Sequence, residues 1–255
     1  MIQKISLRGF YIAGILAVFA LTGCPGSDSG GGGGVSLQQQ YLDAKNISSP
    51  ASRANKLIEV ARKQHAAGDI AGSETSLSDA FAAAQDARRR SEHFGKIAVI
   101  YGTQLEETSK ASSYLKLARQ AVEGIENPSL QAQSLAGLAH SYFQLGQDAE
   151  AQELTAQALE LAKQMEDVSK RAEEIRNIGD KLALMGQKDE AAKLFDEALA
   201  AAETIDDPYK KTFALANLAQ SLNDAGNAEQ ANKLIDQAQS SAEQVTNPAE
   251  KTEAL

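Results

Sequence analysis

A repeat of about 40 residues is the feature of this sequence that most restricts the folds open to it. Gly146, Gly186 and Gly226 lie 40 residues apart, and Gly68 lies two periods of 39 before the first of them. The segments after the last three glycines match one another, with alanine at 151, 191 and 231, leucine at 154, 194 and 234, and alanine at 158, 198 and 238. A fixed period of this length indicates a stack of similar units, each too small to bury its own apolar face.

Turn dipeptides ending in proline mark a second point in the same repeat. Asn127-Pro128, Asp207-Pro208 and Asn247-Pro248 occur at one phase of the 40-residue period. Asn or Asp before proline favours an extended backbone, which stops a helix. The glycines and prolines therefore divide each unit into a first helix (helix A), a glycine turn, a second helix (helix B) and a polar turn.

The apolar residues between these markers recur with helical spacing. We expect one stripe on each helix A to form the core with a stripe on each helix B. The helix A residues are Leu57, Val60, Ala61, Leu135, Leu138, Ala139, Tyr142, Ile175, Ile178, Gly179, Leu182, Leu215, Leu218, Ala219 and Leu222, and the helix B residues are Ala151, Leu154, Ala158, Leu159, Ala162, Ala191, Phe195, Ala198, Leu199 and Ala202.

The second unit departs from the pattern because it has no turn glycine. Its register can be set on Thr108 or on Ser109. We expect its helix A, with Ile97, Ile100 and Tyr101, to pair irregularly with a helix B whose stripe is Tyr114, Leu117, Ala121 and Val122. A short lead-in helix is predicted within Val35–Ile47.

These residues resemble the tetratricopeptide repeat (TPR), whose pattern is a large apolar residue, Leu-Gly/Ala, Tyr, a turn Gly, Ala, an aromatic residue and Ala. The fourth unit carries that pattern at Ile175, Ile178, Gly179, Leu182, Gly186, Ala191, Phe195 and Ala198, and the third at Leu135, Leu138, Ala139, Tyr142, Gly146, Ala151 and Ala158. The period is about 40 residues rather than the usual 34, so one or both helices run longer, and a related longer-helix solenoid stays open.

The resemblance implies an all-α, right-handed α-solenoid of five TPR-like hairpins. Their expected bounds are 50–90, 91–128, 129–168, 169–208 and 209–248, with 249–255 starting a sixth repeat or forming a cap. It also implies a concave groove lined by helix A, with candidate partner-binding residues His140, Phe143, Gln144, Arg176, Asp180, Phe213, Gln220 and Asn223. Phe143 and Phe213 fall off the core stripe, so each either contacts a partner or covers the neighbouring repeat.

The N-terminus has the organisation of a secretory signal. Lys4 and Arg8 precede the apolar run Phe10–Ala20, which is too short to span a bilayer. Leu21, Thr22 and Gly23 then precede Cys24, and this resembles a bacterial lipobox. The resemblance implies that 1–23 is a lipoprotein signal peptide removed before Cys24, and that Cys24 is acylated. An ordinary secretory signal or a short anchor helix is the alternative.

The segment 24–49 is expected to be a flexible Gly/Ser-rich tether and lead-in after the lipidated cysteine. Removing Lys4 and Arg8 lowers the net charge from -9 to -11, so we expect the lipid, rather than the protein's charge, to hold the chain at a membrane. Asp directly after the cysteine is the familiar signal for retention in the inner membrane, and here the residue is Pro25. This favours the outer membrane with the body in the periplasm.

Composition argues against several other functions. A single cysteine excludes an internal disulfide and a cysteine-based zinc site, while the absence of tryptophan and the negative charge argue against nucleic-acid binding. His65, His93 and His140 lack metal-ligand spacing and are interpreted as surface or groove residues. The adjacent acids Glu106-Glu107, Glu173-Glu174 and Asp206-Asp207 are interpreted as solvated or capping residues. No catalytic motif, metal site or cofactor is expected.

The predicted function is a non-enzymatic protein-interaction scaffold anchored in the bacterial envelope. Its partners would be membrane lipid, through Cys24, and one or more envelope proteins or peptides. Units three and four carry net charges of -5 and -4, which suits basic or neutral segments. The alternatives are an accessory subunit that binds a solute or polymer, and the N-terminal part of a longer protein.

Overall fold

The computed structural model describes residues 35–254, which form twelve α-helices and contain no strand. The expectation of an all-α chain is confirmed. The helices are α1 (Leu37–Lys45), α2 (Pro50–Ala66), α3 (Ile70–Gln85), α4 (Arg90–Thr103), α5 (Thr108–Glu123), α6 (Pro128–Gln144), α7 (Asp148–Lys163), α8 (Val168–Leu184), α9 (Lys188–Glu203), α10 (Pro208–Asp224), α11 (Ala228–Glu243) and α12 (Pro248–Ala254).

The ten helices from α2 to α11 pack as five consecutive antiparallel hairpins. Each hairpin consists of an even-numbered helix A and the odd-numbered helix B that follows it. Helix A also contacts the helix A of the next hairpin, and helix B contacts that same neighbour. This pattern is the stack of hairpins that the 40-residue period predicts.

The first and last helices lie against the two ends of the stack. α1 packs on α2, and its Tyr41 hydroxyl donates to Asp79 Oδ2 of α3 at 2.6 Å. Lys45 Nζ lies 3.1 Å from the same carboxylate, and Arg53 Nε of α2 donates to the Ile47 carbonyl at 2.7 Å. α12 contacts α10 and α11.

Polar side chains cap the start of four of the five A helices, and α4 is the exception. Asn127 Oδ1 accepts the backbone N–H of Leu130 at 2.9 Å, and Pro128 occupies the first turn, where it has no N–H to leave unpaired. Ser49 and Pro50 begin α2 in the same way. Asp167 caps α8 without a proline, by accepting the N–H groups of Ser169 and Lys170 at 2.9 and 3.2 Å.

Four of the five hairpin turns use a glycine in the left-handed region. Gly68, Gly146, Gly186 and Gly226 have φ between 70° and 89°. The N–H after each glycine bonds back to the carbonyl five residues earlier, as Gln147 does to Tyr142 at 3.0 Å. Only glycine enters this region without a steric cost, so these positions fix the length of helix A.

The α4–α5 turn reverses the chain direction without a glycine. Glu106 takes the left-handed conformation, with φ 54°, and Leu105 is one extra residue in the turn. The hydrogen bond that closes this turn spans six residues instead of five. It runs from the Glu107 N–H to the carbonyl of Tyr101, at 2.7 Å. Leu105 is half-buried against the apolar core of the first hairpin, which gives the extra residue a place to pack.

Most residues of the predicted core stripes are buried, but Leu159 and Leu199 are only half-buried, and the α5 stripe needs a correction. Leu117 is exposed, whereas Leu115 and Ala118 are buried. The predicted stripe had the wrong register because α5 begins at Thr108, so that Ala111 occupies the position of Ala151 in α7. Elsewhere small residues let the helices approach closely: a Cβ placed on Gly179 would lie 2.7 Å from Cε1 of Phe195.

Two turn substitutions should have opposite effects on stability. Gly146→Ala introduces a Cβ at a positive φ and should lower the free energy of unfolding by about 1–2 kcal/mol. Glu106→Gly removes that strain but adds freedom to the unfolded chain, so a gain of about 0.5 kcal/mol is expected. Urea unfolding followed by circular dichroism measures both, and a Gly146→Ala variant as stable as the parent chain would refute the role assigned to the turn.

Candidate functional site

A continuous groove runs between α8 and α10, the A helices of the fourth and fifth hairpins. It consists of two cavities of about 420 and 510 Å³ that share Arg176. The first lies towards the start of α10 and the second towards the glycine turns. We call this surface the α8–α10 groove; its principal side chains are Glu173, Arg176, Asp180, Leu184, Tyr209, Phe213, Asn217, Gln220, Asp224 and Glu253.

Helical periodicity explains why these side chains share one surface. α8 turns Ile175, Ile178 and Leu182 into the core, where each is buried. Residues three and four apart on a helix lie on one face, so Glu173, Arg176 and Asp180 form a separate row beside that stripe. The equivalent row of α10 contains Phe213 and Gln220.

Arg176 forms the floor of the groove and is already paired within the protein. Its Nη1 lies 2.7 Å from Asp180 Oδ2 and 3.1 Å from Ser221 Oγ, and its Nη2 lies 2.7 Å from Asn177 Oδ1. The side chain is only 16% exposed. Arg176 therefore ties α8 to α10, and its positive charge is matched by Asp180.

Glu174 is a buried carboxylate that the sequence reading placed wrongly in solvent. It is 1% exposed and accepts hydrogen bonds from the hydroxyl of Ser129, from Gln133 Nε2 at 2.6 Å and from Asn177 Nδ2 at 3.0 Å. Ser129 and Gln133 belong to α6, so the carboxylate joins the third hairpin to the fourth. Its neighbour Glu173 is exposed, as expected for residues 100° apart on a helix.

Neighbouring side chains remove part of the water around the two carboxylates in the α8 row. Burial raises the pKa of Glu173 above its ordinary value, and the neighbouring charge of Glu174 adds to the effect. Burial also raises the pKa of Asp180, against the opposing influence of Ser221 and Arg176. The groove thus holds negative charge that water stabilises less than it would on an open surface.

The two off-stripe phenylalanines occupy different environments. Phe143 is half-buried and packs against the main core, so it covers its own hairpin and the neighbour. Phe213 is 37% exposed, lines the first cavity, and meets Tyr209 edge-on with ring centroids 4.9 Å apart. Phe213 is therefore the more exposed of the two aromatic side chains that line this cavity.

The structure brings some of the predicted groove residues together and separates others. Arg176, Asp180, Phe213 and Gln220 line the α8–α10 groove, and Gln220 Nε2 donates to Asp224 at 2.8 Å. Asn223 is exposed but does not line the groove. The three α6 residues lie outside it, namely His140, Phe143 and Gln144.

Leu184, Tyr209 and Glu253 are among the groove residues that sequence reasoning missed. Leu184 is 66% exposed at the end of α8, and Tyr209 and Glu253 line the first cavity. Leu184 could have been predicted from the sequence, because it is a large apolar residue outside the core stripe, as Phe213 is. Tyr209 directly follows the turn proline, where the core pattern has not yet begun.

One of the three histidines is more buried than predicted. His93 is 3% exposed, with Nδ1 3.1 Å from the Arg89 carbonyl and Nε2 3.2 Å from the Ala51 carbonyl, so its assignment to the surface or groove is wrong. Burial lowers its pKa. His140 is half-buried, and its Nδ1 finds no hydrogen-bond partner in the described part of the chain. Burial, together with the charge of Lys181, lowers its pKa.

Other predicted features lie outside residues 35–254 or are not seen within them. Cys24 and the lipobox residues Leu21, Thr22 and Gly23 belong to the part of the chain that the structure does not describe. No helix within residues 35–254 is both long and apolar enough to cross a bilayer. The same residues hold no cluster of three or more His, Asp or Glu side chains arranged for a metal ion.

Comparison with solved structures supports the fold. The chain is similar to Ton1535 from Thermococcus onnurineus NA1, with a TM-score of 0.53 and 14% identity over 84% of this chain and 83% of that one. The TPR-like repeats of a putative kinesin light chain from Podosopora anserina align with a TM-score of 0.41 and 19% identity, over 79% of this chain and 100% of theirs. No family model and no curated protein matches the sequence.

The adjacent glutamates of α8 provide a matched test of the buried network. Glu174→Ala leaves the donors of Ser129, Gln133 and Asn177 without an acceptor, so the free energy of unfolding should fall by about 2–4 kcal/mol. Glu173→Ala, one residue away in the exposed row, should change it by less than about 0.5 kcal/mol. Urea unfolding compares them, and equal losses would show that Glu174 does not join the hairpins.

Proposed function

We propose that this protein is a non-enzymatic scaffold of the bacterial cell envelope, anchored by a lipid on Cys24 and binding a segment of a partner protein in the α8–α10 groove. The proposed location is the outer membrane, with the body in the periplasm. The observation that carries the binding role is the exposed face of Phe213 in a groove that also holds the exposed Leu184 and several polar and charged side chains.

The geometry of the groove fits an extended protein segment better than a small substrate. Both cavities open along the seam between two parallel A helices, and together they present apolar side chains at separated points, Phe213 near one end and Leu184 near the other. Interfaces of this kind take most of their affinity from a few exposed aromatic or aliphatic anchors. Repeated helical hairpins commonly use their extended concave surfaces for such binding.

The N-terminal sequence supports the anchor. Leu21-Thr22-Gly23-Cys24 has the lipobox pattern, and the ten residues 25–34 contain no large side chain that could pack. A coil of that length and composition spans roughly 17 Å on average, enough to separate a folded body from lipid headgroups. Several acyl chains on one residue would anchor it stably, whereas a single chain would not.

Replacing the exposed phenylalanine should impair binding without unfolding the stack. Phe213→Ala should reduce capture of partner proteins from detergent-solubilised envelope at least about tenfold, because it removes the apolar anchor. Phe143→Ala is the control, and it should instead lower the free energy of unfolding by about 2 kcal/mol because that ring packs in the core. If Phe213→Ala retains its partners fully, the groove is not the binding surface.

The anchor is tested by the chemistry of the mature N-terminus. Cells fed an alkyne analogue of palmitate should label the chain, and Cys24→Ser should abolish the label because no thiol remains to be modified. Ser27→Ala, a change of similar size in the tether, should keep it. Mass spectrometry of the N-terminal peptide provides the second readout, and an unmodified Cys24 in the membrane-bound mature chain would disprove lipidation.

A further inference from the structure

The Phe213 end of the α8–α10 groove combines an exposed aromatic face with two carboxylates that are not engaged in ion pairs among residues 35–254. Glu173 and Glu253 both line this cavity of about 420 Å³. Within residues 35–254, neither takes part in an ion pair with lysine, arginine or histidine. Glu253 faces the Tyr209 hydroxyl and raises the pKa of that group, first through hydrogen bonding and then through its charge.

The two cations at this cavity interact elsewhere. Arg176 is held by Asp180, Ser221 and Asn177 on the groove floor. Lys210 is exposed at the rim. Its charge contributes to lowering the pKa of Asp167, after the hydrogen bond that this carboxylate accepts from the Lys170 N–H. Neither cation forms an ion pair with Glu173. The charges of Arg176 and Lys170 lower its pKa less than burial and the charge of Glu174 raise it, so this carboxylate can still gain from an incoming cation.

We infer that this end of the groove seats the side chain of a lysine or arginine from the partner segment, with its methylenes or guanidinium on the Phe213 and Tyr209 rings and its charge facing Glu173 and Glu253. The inference rests on the proposed function, because it names the chemistry of the segment that the groove binds. A cation over an aromatic ring and beside a partly desolvated carboxylate gains from both interactions at once.

The carboxylate of Glu173 would be better stabilised in such a complex than it is alone. Burial and the charge of Glu174 raise its pKa in the free protein, and a bound cation reverses that influence. An aspartate or glutamate on the partner would instead add a third negative charge beside Glu173 and Glu253. The negative charge at this end of the groove therefore both binds a positively charged partner side chain and disfavours a negatively charged one.

The length of the groove adds a second requirement. Phe213 is the sixth residue of α10 and Leu184 the last of the seventeen in the neighbouring α8, so the two anchors are about 16 Å apart along the helix axis. An extended chain covers that distance in about five residues. We therefore expect the basic side chain to be followed or preceded, about five residues away, by an apolar one.

A random dodecapeptide display library, selected on the detergent-solubilised full chain, tests this inference. The enriched peptides should contain Lys or Arg at one position far more often than the starting library. The best of them is then synthesised with that residue as Lys or Arg and as norleucine. We expect the norleucine peptide to bind the parent protein at least about tenfold more weakly, and to bind Glu173→Gln about as well as the basic peptide does.

The matched control is Glu126→Gln, which removes the same charge from an exposed loop between α5 and α6 and should leave both affinities unchanged. Glu173→Lys should prefer the same peptide with Glu at the basic position. Peptides that lose affinity in Phe213→Ala but show no preference for Lys or Arg would overturn the inference and leave the proposed groove function standing. If the parent chain retains no peptide better than Phe213→Ala does, both are wrong.

Discussion

The close approach of helix A to helix B is the constraint on which the rest of this structure depends. Small residues at the points where the two helices cross make this approach possible. At Gly179 even a methyl group would collide with the Phe195 ring. The large residues then fill the space between hairpins. Because helix A buries one stripe in this way, its remaining face stays free, and two such faces side by side create the α8–α10 groove.

Polar contacts between the A helices hold that free face in place. In α8, Glu174 accepts a hydrogen bond from α6, and Arg176 donates one to α10. Both side chains also hydrogen-bond to Asn177. Apolar packing sets the spacing of hairpins but is non-directional. Hydrogen bonds of defined geometry fix how one helix A lies against the next. These bonds fix the position of the groove floor beneath its charged rim.

The sequence predicted the parts of the fold that depend on local chemistry and repetition. Left-handed glycines, capping residues before proline and helical stripes each have one dominant physical cause, so their positions could be assigned directly. Leu117, His93 and Glu174 were placed wrongly because their burial depends on a neighbouring hairpin. Leu105 shifts the register of α5, and no local signal distinguishes a packed extra residue from an exposed one. The exposure of Phe213, unlike that of Phe143, also depends on tertiary neighbours.

The docking of α1 has a mechanical consequence. The chain enters the described body through this nine-residue helix, which is held mainly by its packing on α2 and by Tyr41 and Lys45 at Asp79. A pull arriving from the residues before Val35 acts first on those few contacts and last on α10. Since each hairpin touches only its neighbours, tension is taken up by the peeling of α1 before it can deform the distant groove. We therefore expect the lead-in helix to detach before the hairpins do when the chain is pulled from its N-terminal side.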